Sequence, residues 1–291
     1  LKQFARLEQV NLRTKASIGI ALMPENARTE EDLMRFADTA MYWAKTGGKD
    51  KCVVFDQSMA AQAVAKAQTI QQLESGILAG ELFLVYQPKF ELSSGNLVGH
   101  EALVRWNHPT RGVVYPGDFI ALAEESGLIL EVGNWVLERA LRQMQDWHRQ
   151  GHGWHRVAVN VSALQLSRED FVARVAEALV RYDVPGTYLQ LEITESNLVV
   201  EVDRVKRMVH SLRALGLLVA FDDFGTGYSS LAALQQFELD ILKVDRSFVS
   251  LVHTKQGEAV CRAIITLGHA LGMTIIGEGV ETLEQATTLA R

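Results

Sequence analysis

The sequence has few cysteines, no long apolar run and no excess of positive charge. Its two cysteines, Cys52 and Cys261, are far apart, so it has neither a disulfide framework nor a zinc-site spacing, and a reducing cytoplasm is the expected compartment. No apolar stretch approaches the ~20 residues that a membrane-spanning helix needs, and no signal peptide opens the chain. The 35 acidic residues outnumber the 29 Lys and Arg, which argues against binding of DNA or RNA through backbone phosphates.

The length of 291 residues is compatible with two domains, or with one parallel α/β barrel that uses most of the chain. Hydrophobic residues make up 48% and charged residues 22%, which is ordinary for a folded globular protein. Residues 1–68 are weakly basic, whereas residues 69–291 carry the acidic excess. An acidic domain can still hold a phosphate substrate if metal ions stand between the two.

The first 79 residues predict a small strand–helix–strand unit and a helix. Residues 14–22 and 51–55 are typical of strands, and residues 30–45 of an amphipathic helix with Thr29 as N-cap. About 55 residues are few for an independent domain, so we expect the end of a larger one. Residues 58–78 are rich in Ala and Gln and predict a linker helix instead of a flexible tether.

From residue 82 onward, strands alternate with helices. Two strands, 82–90 and 97–106, are joined by a hairpin signal. The remaining strands are predicted at 156–161, 188–194, 217–221, 241–244 and 274–277. The helices are predicted at 118–126, 130–149, 168–182, 201–215, 229–236, 256–271 and 282–290. This alternation predicts a parallel sheet covered on both faces, with seven strands, one fewer than a closed eight-stranded barrel.

The predicted strands turn polar at their carboxyl ends. The residues concerned are Glu101, Arg105, Asn160, Ser162, Glu192, Thr194, Glu195, Asp222, Asp223, Lys243, Asp245, Glu278 and Glu281. In a parallel barrel these ends converge on one face, where such enzymes place their chemistry. At a single strand, a polar end could simply mark the protein surface. Six such ends favour a site.

The residue types at these ends indicate a metal centre. Crowded carboxylates repel one another unless cations neutralise them, and carboxylate and amide oxygens suit Mg²⁺ or Mn²⁺. The adjacent Asp222 and Asp223 could bridge two ions, an arrangement typical of phosphoester hydrolysis. Lys243 either balances the charge of a carboxylate or orients and helps deprotonate the attacking water, and the two roles are compatible.

At these residues the sequence resembles the EAL domain, a bacterial cyclic-di-GMP phosphodiesterase. The resemblance covers about residues 70–291 and rests on eight motifs in order. They are YQPKF (86–90), EALVRW (101–106), PGDFI (116–120), VNVS (159–162), LEITES (191–196), DDFGTGYSS (222–230), LKVDRSFV (242–249) and GEGVET (277–282).

The resemblance implies an α/β fold, a modified TIM (β/α)8 barrel whose first strand is antiparallel. It also implies hydrolysis of cyclic-di-GMP to linear pGpG with two Mg²⁺ or Mn²⁺ ions. Because Ca²⁺ prefers a looser and larger ligand shell, we expect it to permit binding and suppress hydrolysis. The implied ligands of the first ion are Glu101, Asn160, Glu192 and Asp222. Those of the second ion are Asp222, Asp223 and Glu278. Lys243 would contact the nucleophilic water.

Further roles are implied for residues around the ligands. Those implied to bind the substrate are Gln87, Leu103, Arg105 and Asp245, with Arg105 contacting a phosphate. Glu195 would anchor the loop after Asp223, which in this family couples the site to dimerisation. Glu281 would act one layer behind the ligands. A homodimer is therefore expected.

Residues 1–56 resemble the C-terminal third of a GGDEF diguanylate cyclase domain. The resemblance rests on ASIGIAL (16–22), ADTAMYWAK (37–45) and GGKDKCVVFD (47–56), with Lys45 and Lys49 where that family contacts nucleotide phosphates. The signature loop of that family would lie upstream of Leu1, so we expect no cyclase activity from this chain. Any membrane attachment would come from upstream segments.

The expected organisation is a C-terminal part of a GGDEF domain (1–56), a linker helix (57–79) and an EAL domain (80–291). The family's final strand, and the active-site Gln in the segment after it, do not occur in the sequence, so we expect a truncated barrel. Two other functions stay open at this point. One is a module that binds cyclic-di-GMP without hydrolysing it, and the other is a structural role in dimerisation.

Overall fold

The computed structural model describes residues 4–7, 10–13, 15–48, 50–194, 202–225, 234 and 236–290. The chain forms two compact units, residues 1–72 and 73–291. None of the helices in these ranges combines the length and apolar content that a membrane crossing requires.

The first unit contains two small sheets, a helix between two of their strands, and the first part of a second helix. Strands β1 (Phe4–Leu7) and β2 (Val10–Arg13) form an antiparallel hairpin that the sequence pattern did not predict. Strands β3 (Ile18–Ile20) and β4 (Cys52–Val54) pair in parallel, and helix α1 (Glu30–Thr46) connects them. The predicted strand–helix–strand order is therefore confirmed, with shorter strands.

Local signals set the ends of α1 and its distance from the sheet. The Thr29 hydroxyl accepts a hydrogen bond from the backbone of Asp32 at 3.1 Å, which confirms the predicted N-cap. Gly19 in β3 lies so close to α1 that a Cβ there would be 2.0 Å from the Ala37 carbonyl oxygen. Glycine is therefore required where the helix crosses the strand.

Helix α2 (Gln57–Ala79) has nearly the bounds expected for the linker helix, and the boundary between the two units falls within it. No proline interrupts it, and Ala and Gln are good helix formers. Gly80, with a φ of +73°, follows its last residue, in the left-handed conformation that commonly ends a helix.

The second unit is built on one curved sheet. Its strands are β5 (Leu82–Phe90), β6 (Leu97–His108), β7 (Gly112–Val114), β8 (Val157–Asn160), β9 (Leu189–Thr194), β10 (Leu218–Phe224), β11 (Ile241–Val244) and β12 (Thr274–Gly277). The helices are α3 (Ile120–Ser126), α4 (Ile129–Trp147), α5 (Ala163–Leu166), α6 (Phe171–Tyr182), α7 (Val202–Ala214), α8 (Arg246–Val249), α9 (Lys255–Ala270) and α10 (Leu283–Leu289).

The sheet has the topology expected of the modified barrel. Its order is β12-β11-β10-β9-β8-β6-β5, so all seven predicted strands lie in one path, with the short β7 added to β6. β5 pairs with β6 antiparallel, and the other neighbours along this path are parallel. Within the described ranges β5 and β12 are the two edges, so the sheet is curled but not closed.

The core lies between the strands and the helices that cross over them. Leu189, Leu191 and Ile193 of β9 and Val219 and Phe221 of β10 are buried, as parallel strands covered on both faces require. On α4, buried apolar residues recur at helical spacing against the sheet. This packing fixes the strand ends from which the polar side chains project.

Two predicted helices differ from the structure. The helix expected over 168–182 is α6, which begins three residues later, at Phe171. The short α5 before it, which Ser162 and Gln165 start with a capping box, was not predicted. The helix expected over 229–236 lies largely outside the described residues.

Candidate metal centre and active site

The carboxyl ends of the strands bring four acidic side chains around one ammonium group. Lys243 on β11 places its Nζ 2.6 Å from Glu192 Oε2, 2.6 Å from Glu278 Oε1, 2.9 Å from Asp222 Oδ1 and 3.4 Å from Glu101 Oε2. These residues come from β6, β9, β10, β11 and the turn after β12, so the site depends on the whole sheet. The structure thus confirms the predicted convergence of polar strand ends for these five residues.

The two central members of this cluster are deeply buried. The side chain of Lys243 is 2% exposed, and that of Glu192 is 0% exposed. Burial disfavours the charged form of Lys243, but Glu192 and Glu101 outweigh it and raise the pKa of its ammonium above the ordinary lysine value. Burial likewise opposes the charge of Glu192, yet Lys243 and Lys89 hold the pKa of its carboxyl below the ordinary value. Both groups are therefore charged at neutral pH.

Asn160 orients Glu101 across the sheet. Its Nδ2 donates to Glu101 Oε1 at 3.0 Å, because the two residues lie on the neighbouring strands β8 and β6. Burial, followed by the charge of Glu192, raises the pKa of the Glu101 carboxyl. Its two oxygens thus face an amide and an ammonium group, which leaves the carboxylate fixed within the cluster.

A β-bulge places two consecutive aspartates at the site. The register between β10 and β11 shifts between Phe221 and Phe224, and Asp223 has a φ of +54°. In a regular strand, consecutive side chains would point to opposite faces of the sheet. The irregular backbone instead allows Asp222, Asp223 and Glu278 each to offer one oxygen, all within 4.8 Å of one another.

Crowding of like charge raises further pKa values in this group. Burial, followed by the charge of Asp222, raises the pKa of the Asp223 carboxyl. Burial also raises the pKa of Glu278 to about 7, despite the nearby ammonium group of Lys243. Such shifts identify a site that a cation would stabilise, because a bound cation favours the ionised carboxylates.

Lys89 is a member of this cluster that sequence reasoning missed. Its Nζ lies 2.7 Å from Glu192 Oε1 and 3.9 Å from Glu101 Oε2. The signal was present in the YQPKF motif, since Gln87 and Lys89 are two residues apart and share one face of β5. Among the described residues, two ammonium groups thus meet five carboxylates, which leaves an excess of negative charge. The carboxylates are those of Glu101, Glu192, Asp222, Asp223 and Glu278.

The residues predicted to bind substrate lie beside this cluster. Gln87 stands directly opposite Glu101 in the β5–β6 ladder, and Leu103 and Arg105 follow Glu101 at the alternation that keeps side chains on one face. The guanidinium of Arg105 lies over the Tyr115 ring, 4.9 Å from its centroid. The positions agree with the expectation, while the substrate contacts stay a prediction.

The remaining predicted residues that the structure describes follow the ends of the strands and form other contacts than those around Lys243. Asp245 accepts a hydrogen bond from the Ser247 backbone at 2.9 Å and caps α8. Burial alone would raise the pKa of the Asp245 carboxyl, but the hydrogen bonds from Ser247 lower it below the ordinary value. Glu281 is exposed and pairs with Arg246 at 2.7 Å. Glu195 lies outside the described residues, as does Lys49 of the first unit.

This arrangement is suited to binding divalent cations. The donor set consists of carboxylate and amide oxygens, the ligand type of Mg²⁺ and Mn²⁺. The carboxylates outnumber the two ammonium groups, and the group formed by Asp222, Asp223 and Glu278 has the compactness of a metal site. The residues therefore fit a metal centre at the carboxyl face of the sheet.

Comparisons with known proteins agree with this geometry. The model of the EAL domain matches residues 70–291, and that of the diguanylate cyclase GGDEF domain matches residues 1–51. The chain is 41% identical to the bifunctional diguanylate cyclase/cyclic di-GMP phosphodiesterase MucR of Pseudomonas aeruginosa, over 100% of this chain and 43% of that protein. It is 37% identical to the cyclic di-GMP phosphodiesterase NbdA of the same species, over 99% of this chain and 37% of that protein.

Solved structures show the same fold. The PaMucR phosphodiesterase in complex with c-di-GMP superposes with a TM-score of 0.73 and 41% identity, covering 77% of this chain and 91% of that one. The chain spans less than half the length of the two curated relatives named above. With the eight motifs and the antiparallel first strand of the sheet, these matches show that the chain belongs to the EAL domain family over residues 70–291, preceded by a match to the GGDEF domain.

Proposed function

We propose that residues 70–291 hydrolyse one phosphodiester bond of cyclic-di-GMP with the help of two divalent cations. The observation that carries the proposal is the gathering of five carboxylates and Asn160 around Lys243 at one face of the sheet. The relatives MucR and NbdA are named as cyclic-di-GMP phosphodiesterases, which supports this substrate. Water adds to one phosphorus and the P–O ester bond breaks, so the ring opens to linear pGpG.

The residues divide into two overlapping ligand sets, which we propose hold Mg²⁺ or Mn²⁺. The first set is Glu101, Asn160, Glu192 and Asp222, and the second is Asp222, Asp223 and Glu278. Asp222 is assigned to both sets because it contacts Lys243, as Glu101 and Glu192 do, and also belongs to the group formed with Asp223 and Glu278. When bound, the cations supply charge neutralisation for the phosphodiester and activation of the attacking water.

Lys243 orients the reactants as a permanent cation. Despite burial, the surrounding carboxylates raise the pKa of its ammonium group, which favours the protonated amine and a role as hydrogen-bond donor. Of the two roles expected from the sequence, this favours the orienting one. Its contacts to four carboxylates keep the Nζ at the centre of the ligand sets.

Substrate recognition is assigned to side chains beside the metal ligands. Arg105 offers a planar donor group for a phosphate, and its stacking on Tyr115 limits the motion of the guanidinium. Gln87 and Leu103 lie on the same face of the hairpin, next to Glu101. Asp245, which directly follows β11, is also assigned to substrate binding.

Two further acidic residues are proposed to support the site. Glu195, which follows β9, is assigned to anchoring the loop after Asp223. Glu281 is proposed to support the metal ligands without binding a metal itself. Its ion pair with Arg246 ties the turn after β12 to α8.

The chain is further proposed to act as a homodimer in the cytoplasm. We also propose the domain limits 1–56, 57–79 and 80–291, in which the first part derives from a GGDEF domain. The matches to residues 1–51 and 70–291 support this division. Sedimentation of the purified chain, with and without cyclic-di-GMP, tests the dimer.

The decisive assay incubates the chain with cyclic-di-GMP and Mn²⁺ or Mg²⁺ and separates the nucleotides. We expect pGpG from the wild type and none from Glu101→Ala or Asp222→Ala, because each removes a metal ligand. With Ca²⁺ we expect binding without hydrolysis, since Ca²⁺ prefers a looser and larger ligand shell. Binding without turnover in Mn²⁺, unchanged by Glu101→Ala, would support a binding module and refute the enzyme.

A further inference from the structure

Lys89 differs from Lys243 in its place within the acidic cluster. It projects from β5, the antiparallel edge strand, and its side chain is 14% exposed, against 2% for Lys243. Within the part of the chain that the structure describes, its ionic contacts are to Glu192 at 2.7 Å and Glu101 at 3.9 Å. Both of these carboxylates belong to the proposed first metal set.

Glu192 has both oxygens engaged. Oε1 accepts from Lys89 at 2.7 Å and from Gln190 Nε2 at 2.8 Å, and Oε2 accepts from Lys243 at 2.6 Å. Its side chain is fully buried, so it cannot rotate into solvent to acquire another partner. A cation that binds Glu192 must therefore take over a position that an ammonium group holds.

Of the two ammonium groups, Lys89 is the one that can be displaced at lower cost. Lys243 is held by four carboxylates, and loss of one contact leaves three. Lys89 has its partial exposure and a flexible four-carbon stem, so its ammonium can reach water when it leaves Glu192.

We propose that Lys89 is an internal counter-ion that competes with the divalent cation for Glu192 and Glu101, and thereby sets the metal affinity of the site. The inference rests on the proposed function only in taking these two carboxylates as metal ligands. The ammonium group stabilises the metal-free protein by compensating a buried charge. It weakens metal binding by the same interaction, because that compensation is lost when the cation enters.

Lys89→Met tests the proposal, since Met keeps much of the length of the stem and lacks the charge. Mn²⁺ binding to the full chain is measured by calorimetry, and melting is measured in EDTA. We expect Lys89→Met to bind Mn²⁺ at least about tenfold more tightly, because the cation no longer has to displace an ammonium group from Glu192 and Glu101. We also expect it to melt at a lower temperature in EDTA.

Three further variants make the result specific. Lys89→Arg keeps the charge, and Lys255→Met removes one exposed positive charge at the start of α9, so both should bind Mn²⁺ within about twofold of wild type. Lys89→Gln retains a hydrogen-bond donor without the charge and should also bind Mn²⁺ more tightly than wild type. It therefore serves as the test if the Met variant does not fold.

Equal or weaker Mn²⁺ binding by both Lys89→Met and Lys89→Gln would overturn the inference. Hydrolysis by the wild type together with that result would leave the proposed function intact and refute only the role of Lys89. If the wild type binds no Mn²⁺ and forms no pGpG, both proposals fail.

Discussion

Replacement of Lys243 by Met is the most direct test of how the acidic cluster is held together. The variant removes an ammonium group that contacts Glu101, Glu192, Asp222 and Glu278 at 2.6–3.4 Å, within a site where Glu192 has no exposed side-chain surface. Removing one partner of a buried ion pair typically costs about 3–5 kcal/mol, because the remaining charge is left uncompensated. We expect the metal-free variant to lose about that amount of unfolding free energy.

The size of the loss should depend on pH. Without Lys243, the carboxylates regain part of the energy by taking up protons, and Glu278 already has a pKa raised to about 7. A carboxyl whose pKa is raised in the folded state adds stability at low pH, which disappears as pH rises through the folded pKa. The deficit of Lys243→Met relative to wild type should therefore be larger at pH 8 than at pH 6.

The assay is thermal denaturation in EDTA and in Mn²⁺. For a unit of this size, about 3–5 kcal/mol corresponds to a melting temperature about 6–20 °C lower in EDTA. Mn²⁺ should recover part of this difference, since the cation replaces the lost positive charge. Lys255→Met, which removes an exposed charge, serves as the control and should melt within about 2 °C of wild type. Identical melting of Lys243→Met and wild type in EDTA would refute the counter-ion reasoning.

Three other predictions concern different parts of the chain. Tyr115→Leu should raise KM for cyclic-di-GMP about two- to fivefold with kcat unchanged, because it removes the ring on which Arg105 stacks. Tyr115→Phe, which keeps the ring, should have the wild-type KM, and a lowered kcat in the Leu variant would contradict a positioning role. Cys52 is exposed whereas burial raises the pKa of the Cys261 thiol, so a thiol reagent at pH 8 should modify the first rapidly and the second only on unfolding, and equal rates would refute this. Gly19→Ala should lower the free energy of unfolding of the first unit, measured by urea denaturation, by about 3 kcal/mol, because its methyl group would overlap the backbone of α1. Mn²⁺ binding by the second unit should not change.

The strand order and the convergence of polar side chains were predictable because they rest on patterns that are local in sequence. Apolar runs that alternate with helices indicate a parallel sheet, and parallel strands necessarily place residues such as Asn160, Glu192 and Lys243 at one face. Thr29 marked the start of α1 for the same reason, since capping involves only the next three residues. The hairpin signal likewise gave the antiparallel first strand.

The features that were missed depend on contacts between distant residues, on very short strands or on an irregular backbone. Lys89 lies 103 residues from Glu192 in sequence, so only the folded sheet reveals their pairing. The strand β7 is three residues long and carries almost no periodic signal. The strands β1 and β2 are only four residues long each. The register shift in β10 is invisible to a pattern that assumes strict alternation of side chains.

The left-handed backbone at Asp223 makes the two acidic amino acids unequal at that position. Asp and Asn enter this conformation more readily than other residues with a side chain, and the others pay about 1–2 kcal/mol to adopt it. Glu would keep the charge and lose the backbone preference, while Asn would keep the backbone preference and lose the charge. An exchange that looks conservative in an alignment of sequences is thus a structural change here, and comparing Asp223→Glu with Asp223→Asn separates the geometric requirement of the chain from the electrostatic requirement of the site.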